Sequence, residues 1–428
     1  MPKANSLRVF EYESIVWKEG RRYHRVDFKE DHYKAFESYF LAHEKTPFFE
    51  LIPHGVRFKS YVGAIHIGKL TIEVLPKVDR NAESENDATQ MQRVLLDMLK
   101  ECTLLTAKET GHAPLKLRAN SILHLYFELF LTEVEHLQRR GFFKQYRSRE
   151  GQQKSLKGAL VFSKHLSVNL VHKERFYTRH ATYDHNHLVL QILHEALCLI
   201  DQIADSALLG DAIGRLKLNF PEVDRLRVNA AHFVRIPTSR KTEPYRKAIE
   251  IAKLLLLNFR PDISAGHNDM LALMFDMNVL WEEFILRKLQ RAANAEFQVL
   301  GQRSKPFWET KTIRPDIVLI SRKEPSTTWV IDTKWKVINS HQPADDDLKQ
   351  MYVYNHHWEA QRSMLLYPRS GDQEDVRGKF RLALNGGEHE CVLGFIDLVR
   401  EGKLNRKMGE EIIEKLGTEP FRRAHEHR

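Results

Sequence analysis

The sequence predicts an α/β (α+β) chain of several domains: a β-rich N-terminal domain, a helical middle region and a C-terminal domain whose central mixed sheet is flanked by helices. Three observations carry this expectation. The segment IHIGKLTIEVLP alternates apolar and polar residues with period two. Residues from 185 to about 260 are largely helical in pattern. Beyond them, strand-like and helix-like segments alternate to the end of the chain. On this pattern the parts are 1–160, 161–266 and 267–428.

At 428 residues there is room for two or three cores, and 42% apolar content excludes a mainly disordered chain. A formal charge of +9 permits an anionic partner, nucleic acid above all, without requiring one. Cys102, Cys198 and Cys391 lie far apart with no CxxC spacing, which argues against a disulfide framework or a zinc site and fits a reducing cytosol. The first residues lack a signal-peptide core, and the most apolar helical stretch, ILHLYFELFLTEV, is broken by His124 and Glu128. A soluble cytoplasmic chain with no membrane partner is the expectation.

Residues 1 to about 78 read mainly as strands, with Leu70, Ile72 and Val74 on one face, Lys69, Thr71 and Glu73 on the other, and a hairpin turn at Gly68. The polar segment 79–88 reads as a loop, and helices are expected around 89–105 and 120–138. Residues 139–158 then hold seven basic residues against one acid, Glu150, with Phe142, Phe143 and Tyr146 interleaved. Two readings stand side by side. Arg139, Arg140, Lys144, Arg147 and Arg149 could contact DNA or a partner, or the segment is a connecting loop whose aromatics anchor it to the core. Five histidines between His165 and His187 show no recognised ligand spacing and read as surface and packing residues.

After a loop at 260–268, a long helix is expected from Asp269 to Ala293. It is followed by strand TIRPDIVLI, turn SRKEPST, strand TWVIDTKWKVI, polar loop SHQPADDD and helix DLKQMYVYNHHWEAQ. Strand RSMLLYP and a last strand and helix, CVLGFIDLV and KMGEEIIEKL, complete the domain.

The chemistry concentrates in two of these strands. Period two puts Asp332, Lys334 and Lys336 on one face and Ile331, Thr333 and Trp335 on the other. Asp316 leads the preceding strand, so adjacent pairing would bring it within about 5 Å of Asp332. Two such carboxylates repel and raise each other's pKa, a conflict that a divalent cation removes. Magnesium suits oxygen ligands and keeps part of its water shell. Lys334 could then orient or help deprotonate a water that attacks a phosphodiester. On the preceding helix Glu282 lies about 100° from Trp281, at the edge of the apolar stripe, whereas Glu283 points about 200° away, toward solvent. Gln350 and Tyr354, spaced i, i+4, share a face of the following helix. Lys336 reads as a DNA-backbone contact or as plain solvated charge.

PD (Pro315, Asp316), DTK (Asp332, Thr333, Lys334), the helix MNVLWEEFILRKL and QMYVY together resemble the PD-(D/E)xK nuclease superfamily in its RecB-like branch. Within it the resemblance is to the McrC family, the nuclease subunits of McrBC-type modification-dependent restriction systems. VGAIHIGKLTIEVLPKV, RGFFKQYRSREGQQKSLKGALVF and YDHNHLVLQILHEAL extend the likeness over most of the chain. The resemblance implies a restriction-endonuclease-like C-terminal domain with a catalytic set of Asp316, Asp332, Lys334, Glu282, Gln350 and Tyr354. It implies magnesium, with manganese as the alternative ion, on Asp316, Asp332, the Thr333 carbonyl and Glu282. It further implies a docking role for the N-terminal domain on a McrB-like AAA+ GTPase, double-stranded DNA with modified cytosine as substrate, and a second copy of the chain for double-strand cleavage. No bound nucleotide is expected, because the nearest decoy for a phosphate-binding loop, GDQEDVRGKF, has six residues between its glycines and Phe380 after its lysine. The alternatives are a stand-alone RecB-like repair nuclease and a non-catalytic activator of the GTPase.

Overall fold

The computed structural model describes residues 5–42, 46–77, 85–104, 121–204, 206–260, 269–293, 296–323, 326–336, 338, 342–382 and 387–416. Most of the expected loops at 79–88 and 260–268, and parts of SRKEPST and SHQPADDD, lie outside the described residues.

The chain begins with β1 (Asn5–Phe10), β2 (Ser14–Val16), α1 (Glu30–Ala42), β3 (Phe49–Ile52), β4 (Gly55–Phe58), β5 (Tyr61–Ile67), β6 (Leu70–Leu75) and α2 (Glu85–Leu104). There follow α3 (Ile122–Arg140), β7 (Gln145–Gln153), β8 (Ala159–Leu160), α4 (Phe162–Asn169), β9 (Phe176–Asp184), α5 (Leu188–Ile203), α6 (Ala207–Leu218), α7 (Ala230–Val234) and α8 (Arg246–Leu257). Next come β10 (Phe259–Arg260), β11 (Met270–Asp276), α9 (Met277–Ala292), β12 (Phe297–Gly301), β13 (Lys305–Trp308), β14 (Lys311–Ile313), β15 (Ile317–Ser321) and β16 (Thr328–Thr333). The last elements are α10 (Asp345–Trp358), β17 (Arg362–Pro368), β18 (Val376–Lys379), β19 (Glu390–Ile396), β20 (Val399–Arg400), β21 (Lys403–Leu404) and α11 (Met408–Lys415).

Contacts divide the described residues into two compact units, one of 5–104 with 274–416 and the other of 121–273. This differs from boundaries at 160 and 266, and the reason is specific. In the first unit α2 packs on α9, where Lys288 is tied to Glu101 at 2.8 Å, and the Trp335 indole donates to Glu11 at 2.7 Å. N-terminal and C-terminal segments therefore share one unit.

Four local expectations change. Residues 30–42 form a helix, α1, not strand: Phe36 and Tyr39 recur at helical spacing, and Phe36 meets Phe49 edge-to-face. The basic stretch is not a loop over 145–153 but strand β7, paired antiparallel along its length with β9. Its residues are polar on both faces, so alternation gave no signal. The helix expected from Asp269 begins at Met277, where the Asp276 side chain caps it by accepting from the Asn278 N–H. Before it, Met270–Asp276 is a strand, a short apolar run that periodicity alone cannot tell from buried helix. Finally, TIRPDIVLI is broken at Arg314–Asp316, and the strand begun at Thr328 ends at Thr333.

The site-bearing sheet has order β12-β15-β16-β17-β19-β18. β15 is antiparallel to both β12 and β16, while β17 is parallel to β16 and to β19, so the sheet is mixed as expected. α10 covers one face, where Val330, Met351, Tyr354, Trp358, Leu365 and Phe395 form a buried cluster. α9 covers the other: its Trp281 meets Trp335 at 5.3 Å between ring centroids. No helix among the described residues is long and apolar enough to cross a membrane.

Gly409 sits where α11 crosses α9, and a Cβ there would lie 2.4 Å from the Lys288 carbonyl oxygen. Gly409→Ala should therefore cost about 1–3 kcal/mol of stability. Gly214 in α6 has open space around it. Gly214→Ala should instead stabilise by roughly 0.5–1 kcal/mol. Denaturant melts of the two variants check the opposite signs.

Candidate active site

Register places the two aspartates. The β15–β16 ladder pairs Ile317 with Ile331, and one step further Asp316 comes opposite Asp332. Pro315 precedes Asp316 and has no N–H for a ladder, so the paired strand starts just beyond it. Asp316 Oδ2 accepts from the Thr333 N–H at 2.7 Å and from its hydroxyl at 2.9 Å, which fixes one oxygen of that carboxylate.

Asp332 is 2% exposed, and Lys334 Nζ lies 2.6 Å from its Oδ2. Burial pushes the Asp332 carboxyl up to about 6, the Asp316 charge adds to that push, and Lys334 opposes it. Asp316 is also raised by burial, although Thr333, Lys334 and Arg314 favour its ionised form. For Lys334, burial works against the charged ammonium. Asp332, Asp347 and Asp316 outweigh burial and hold its pKa above the ordinary lysine value. One ammonium thus serves two carboxylates that repel each other.

The ammonium has further partners on α10. Lys334 lies 3.6 Å from Asp347 Oδ1 and donates to Gln350 Oε1 at 3.5 Å. The Gln350 amide donates to the Tyr354 hydroxyl at 2.7 Å, and that hydroxyl donates to the Arg314 carbonyl at 2.9 Å. The i, i+4 pair therefore forms a short chain between Lys334 and the backbone just ahead of Asp316. Burial raises the Tyr354 phenol, which keeps it a donor.

Glu282 Oε1 accepts from the Gln302 amide at 2.6 Å, and its pKa is raised by burial and by the Asp316 charge. The Gln302 N–H donates to the Asp316 carbonyl at 2.8 Å, so Gln302 joins the helix acid to the PD segment. Glu283, expected to face solvent, is half-buried and paired with Arg287 at 2.5 Å.

Lys336 is not a free solvated charge. Its Nζ lies 2.6 Å from Asp347 Oδ2 and 5.9 Å from the centre of the Tyr367 ring. Asp347 and Gln302 were not singled out from the sequence. Asp347 stands three residues before Gln350 on α10, so the spacing that paired Gln350 with Tyr354 could have found it. Gln302 is brought in by the pairing of β12 with β15 and has no local signal.

The basic stretch lies in the other unit and resolves into parts. Phe142 packs on Phe220, and Phe143 stacks on His187 at 4.2 Å. Arg139 pairs with Glu135, and Arg147 with Asp184. Arg140, Lys144 and Arg149 are exposed. The nearby histidines serve packing and hydrogen bonding: His185 and His187 donate to the carbonyls of Phe142 and Phe143.

Among the described residues no three acids, histidines or cysteines gather tightly enough to hold a metal by themselves. The pair Asp316 and Asp332 still fits a hard cation of the magnesium type, which commonly binds through one or two carboxylates and keeps several waters. Its donor set is all oxygen, and the mutual repulsion of the pair is what such an ion offsets.

A family model for the McrBC 5-methylcytosine restriction system component matches residues 56–368, well over half of the 428-residue chain. No curated protein matches the chain. Among solved structures, the chain is similar to one in the refined half-complex from the tetradecameric assembly of Thermococcus gammatolerans McrB AAA+ hexamers with bound McrC. That likeness has 18% identity and a TM-score of 0.62, and covers 96% of this chain and 99% of that chain. It is also similar to a chain of the cryo-EM structure of the Thermococcus gammatolerans McrBC complex, at 18% identity and a TM-score of 0.44 over 67% of this chain and 88% of that chain. At 18% identity the first of these speaks to the fold alone. On the family match, which spans both aspartates, Lys334 and the Gln350–Tyr354 pair, the chain belongs to the McrBC 5-methylcytosine restriction system components.

Proposed function

We propose that this chain is the magnesium-dependent DNA endonuclease subunit of a McrBC-like restriction complex, with a PD-(D/E)xK-type core in its mixed sheet. It cleaves phosphodiester bonds of DNA containing modified cytosine and stimulates GTP hydrolysis by a McrB-like AAA+ partner. The observation that carries this reading is the opposition of Asp316 and Asp332 across antiparallel strands, with the Lys334 ammonium 2.6 Å from Asp332. A solvated surface hairpin would not bury Asp332 or push its carboxyl up to about 6.

Asp316, Asp332 and the Thr333 carbonyl would hold the divalent cation, with Glu282 beside them, linked through Gln302. The cation supplies charge neutralisation and polarises the scissile phosphate when bound. Thr333 fixes Asp316 through two hydrogen bonds and so sets the direction of its remaining oxygen. Lys334, held as an ammonium, supplies positive charge at the phosphate and orients the attacking water. Gln350, Tyr354 and Asp347 hold Lys334 in place.

Asp332→Ala should abolish cleavage of 5-methylcytosine DNA in the presence of the partner GTPase. Lys334→Ala should slow it by roughly 10²–10⁴-fold. Stimulation of GTP hydrolysis, assayed on the same preparations, should persist. Cleavage by both variants at the wild-type rate would contradict the assignment.

The raised Asp332 pKa also predicts a pH dependence. The unfolded value is 3.8 and the folded value about 6, so the folded protein binds the extra proton between them. This group's contribution to stability is fully present below the unfolded value and is lost as pH rises through the folded one. With a chelator present, Asp332→Asn should be more stable than wild type at pH 8, by about 1–3 kcal/mol. The difference should vanish toward pH 4, and magnesium should narrow it at pH 8. Thermal melts across this range read the outcome, and equal curves at every pH would count against the buried-acid account.

A further inference from the structure

Between β12 and β15 the chain leaves the sheet as a two-stranded ribbon, β13 and β14, whose ends touch the candidate site. At one end Gln302 donates to Glu282 and to the Asp316 carbonyl. At the other the Arg314 carbonyl accepts from Tyr354. A hairpin of two short strands is marginally stable alone in water, so its attachments matter. Lys305 supplies them: it donates to the His357 carbonyl at 2.5 Å and lies over the Trp358 ring, while Phe307 meets His357 edge-on.

Apart from these contacts and Ile313, which packs against the sheet's buried cluster, the ribbon is exposed. Ladder pairs run Pro306 with Thr312 and Trp308 with Lys311, leaving Phe307 as the extra residue of a bulge, a device that re-aims side chains. Trp308 is 62% exposed and Phe307 52%. Arg303 and Lys311 are exposed and have no ion-pair partner among the described residues. Residues 302–314 carry four basic residues against one acid, Glu309 at the turn. In the stretch 139–158 Phe142 and Phe143 pack inward and Arg139 and Arg147 are paired, whereas here charge and aromatic surface are both presented outward.

We propose that the Gln302–Arg314 ribbon is a DNA-contact arm that grips the duplex flanking the bond to be cut. The inference rests on the nuclease reading above and adds the surface that holds the substrate. Arg303 and Lys311 neutralise phosphates, and Trp308 lies against the sugar–base edge as an apolar wedge. From its anchors the arm reaches roughly 15–20 Å, or about five base pairs of duplex. Because both anchors are hydrogen-bonded to site residues, DNA held by the arm is in register with Asp316 and Asp332.

The test is fluorescence anisotropy of a fluorescein-labelled duplex with the full-length chain, EDTA present, over a salt series. Arg303→Ala/Lys311→Ala should weaken binding and lower the slope of log K against log salt by about 2. Trp308→Ala should weaken binding roughly tenfold, and Trp308→Phe should restore most of it. Circular dichroism of each variant separates loss of contact from loss of fold. Unchanged affinity and slope in correctly folded variants would overturn the proposal. So would intact DNA binding combined with lost binding to the AAA+ partner, which would make the ribbon a protein-docking arm. Since binding is read without metal, cleavage by Asp332→Ala would remove the catalytic reading and leave this result standing.

Discussion

Two carboxylates facing each other across antiparallel strands, with a single ammonium between them and α10, set the conditions under which this sheet folds. Like charges in a poorly solvated place are costly, and each has a local answer. Asp316 is fixed by the backbone and hydroxyl of Thr333. Asp332 has Lys334. Lys334 is shared with Asp347, and Asp347 is in turn paired with Lys336, so positive and negative groups alternate from the sheet into the helix. Relief remains partial: Asp332 still titrates near 6 and Asp316 still lies above the ordinary aspartate value. A site left in this condition suits a divalent cation better than it suits an empty fold.

The segment just beyond β16 explains why the N-terminal segment belongs to this unit. Trp335 follows Lys334 and faces away from it, between Trp281 and Glu11. Glu11 is itself buried, accepts also from the Lys77 N–H, and is raised by burial to about 7. The segment that carries Lys334 is thus held from behind by β1's continuation as well as by α9. Removing the indole would leave the buried Glu11 carboxyl without its side-chain donor.

The nearness of Asp316 to Asp332 was legible from two strands joined by one turn, whereas Lys334, expected within the second strand, lies just beyond its end at Thr333. Gln350 and Tyr354 were legible because helical neighbours recur at four. Where these signals fade, the reading fails. β7 is polar on both faces, β11 is a short apolar run before a helix, and α1 stands among strands that dominated the pattern around it. Asp347 stood at the junction of the expected loop SHQPADDD and helix DLKQMYVYNHHWEAQ, and Gln302 depends on a strand pairing that no local pattern announces. Lys336, expected on a strand face, lies beyond the end of β16, and its partner was missed because its salt bridge closes onto a helix.

The claim beneath all of this is that Asp316 and Asp332 act together on one divalent cation. Calorimetric titration of manganese or magnesium into the metal-free chain, beside Asp316→Asn and Asp332→Asn, tests it without any cleavage assay. The account predicts saturable binding by the wild type that each substitution weakens at least about tenfold, as losing one of two carboxylate ligands requires. Undiminished binding in both variants would contradict it.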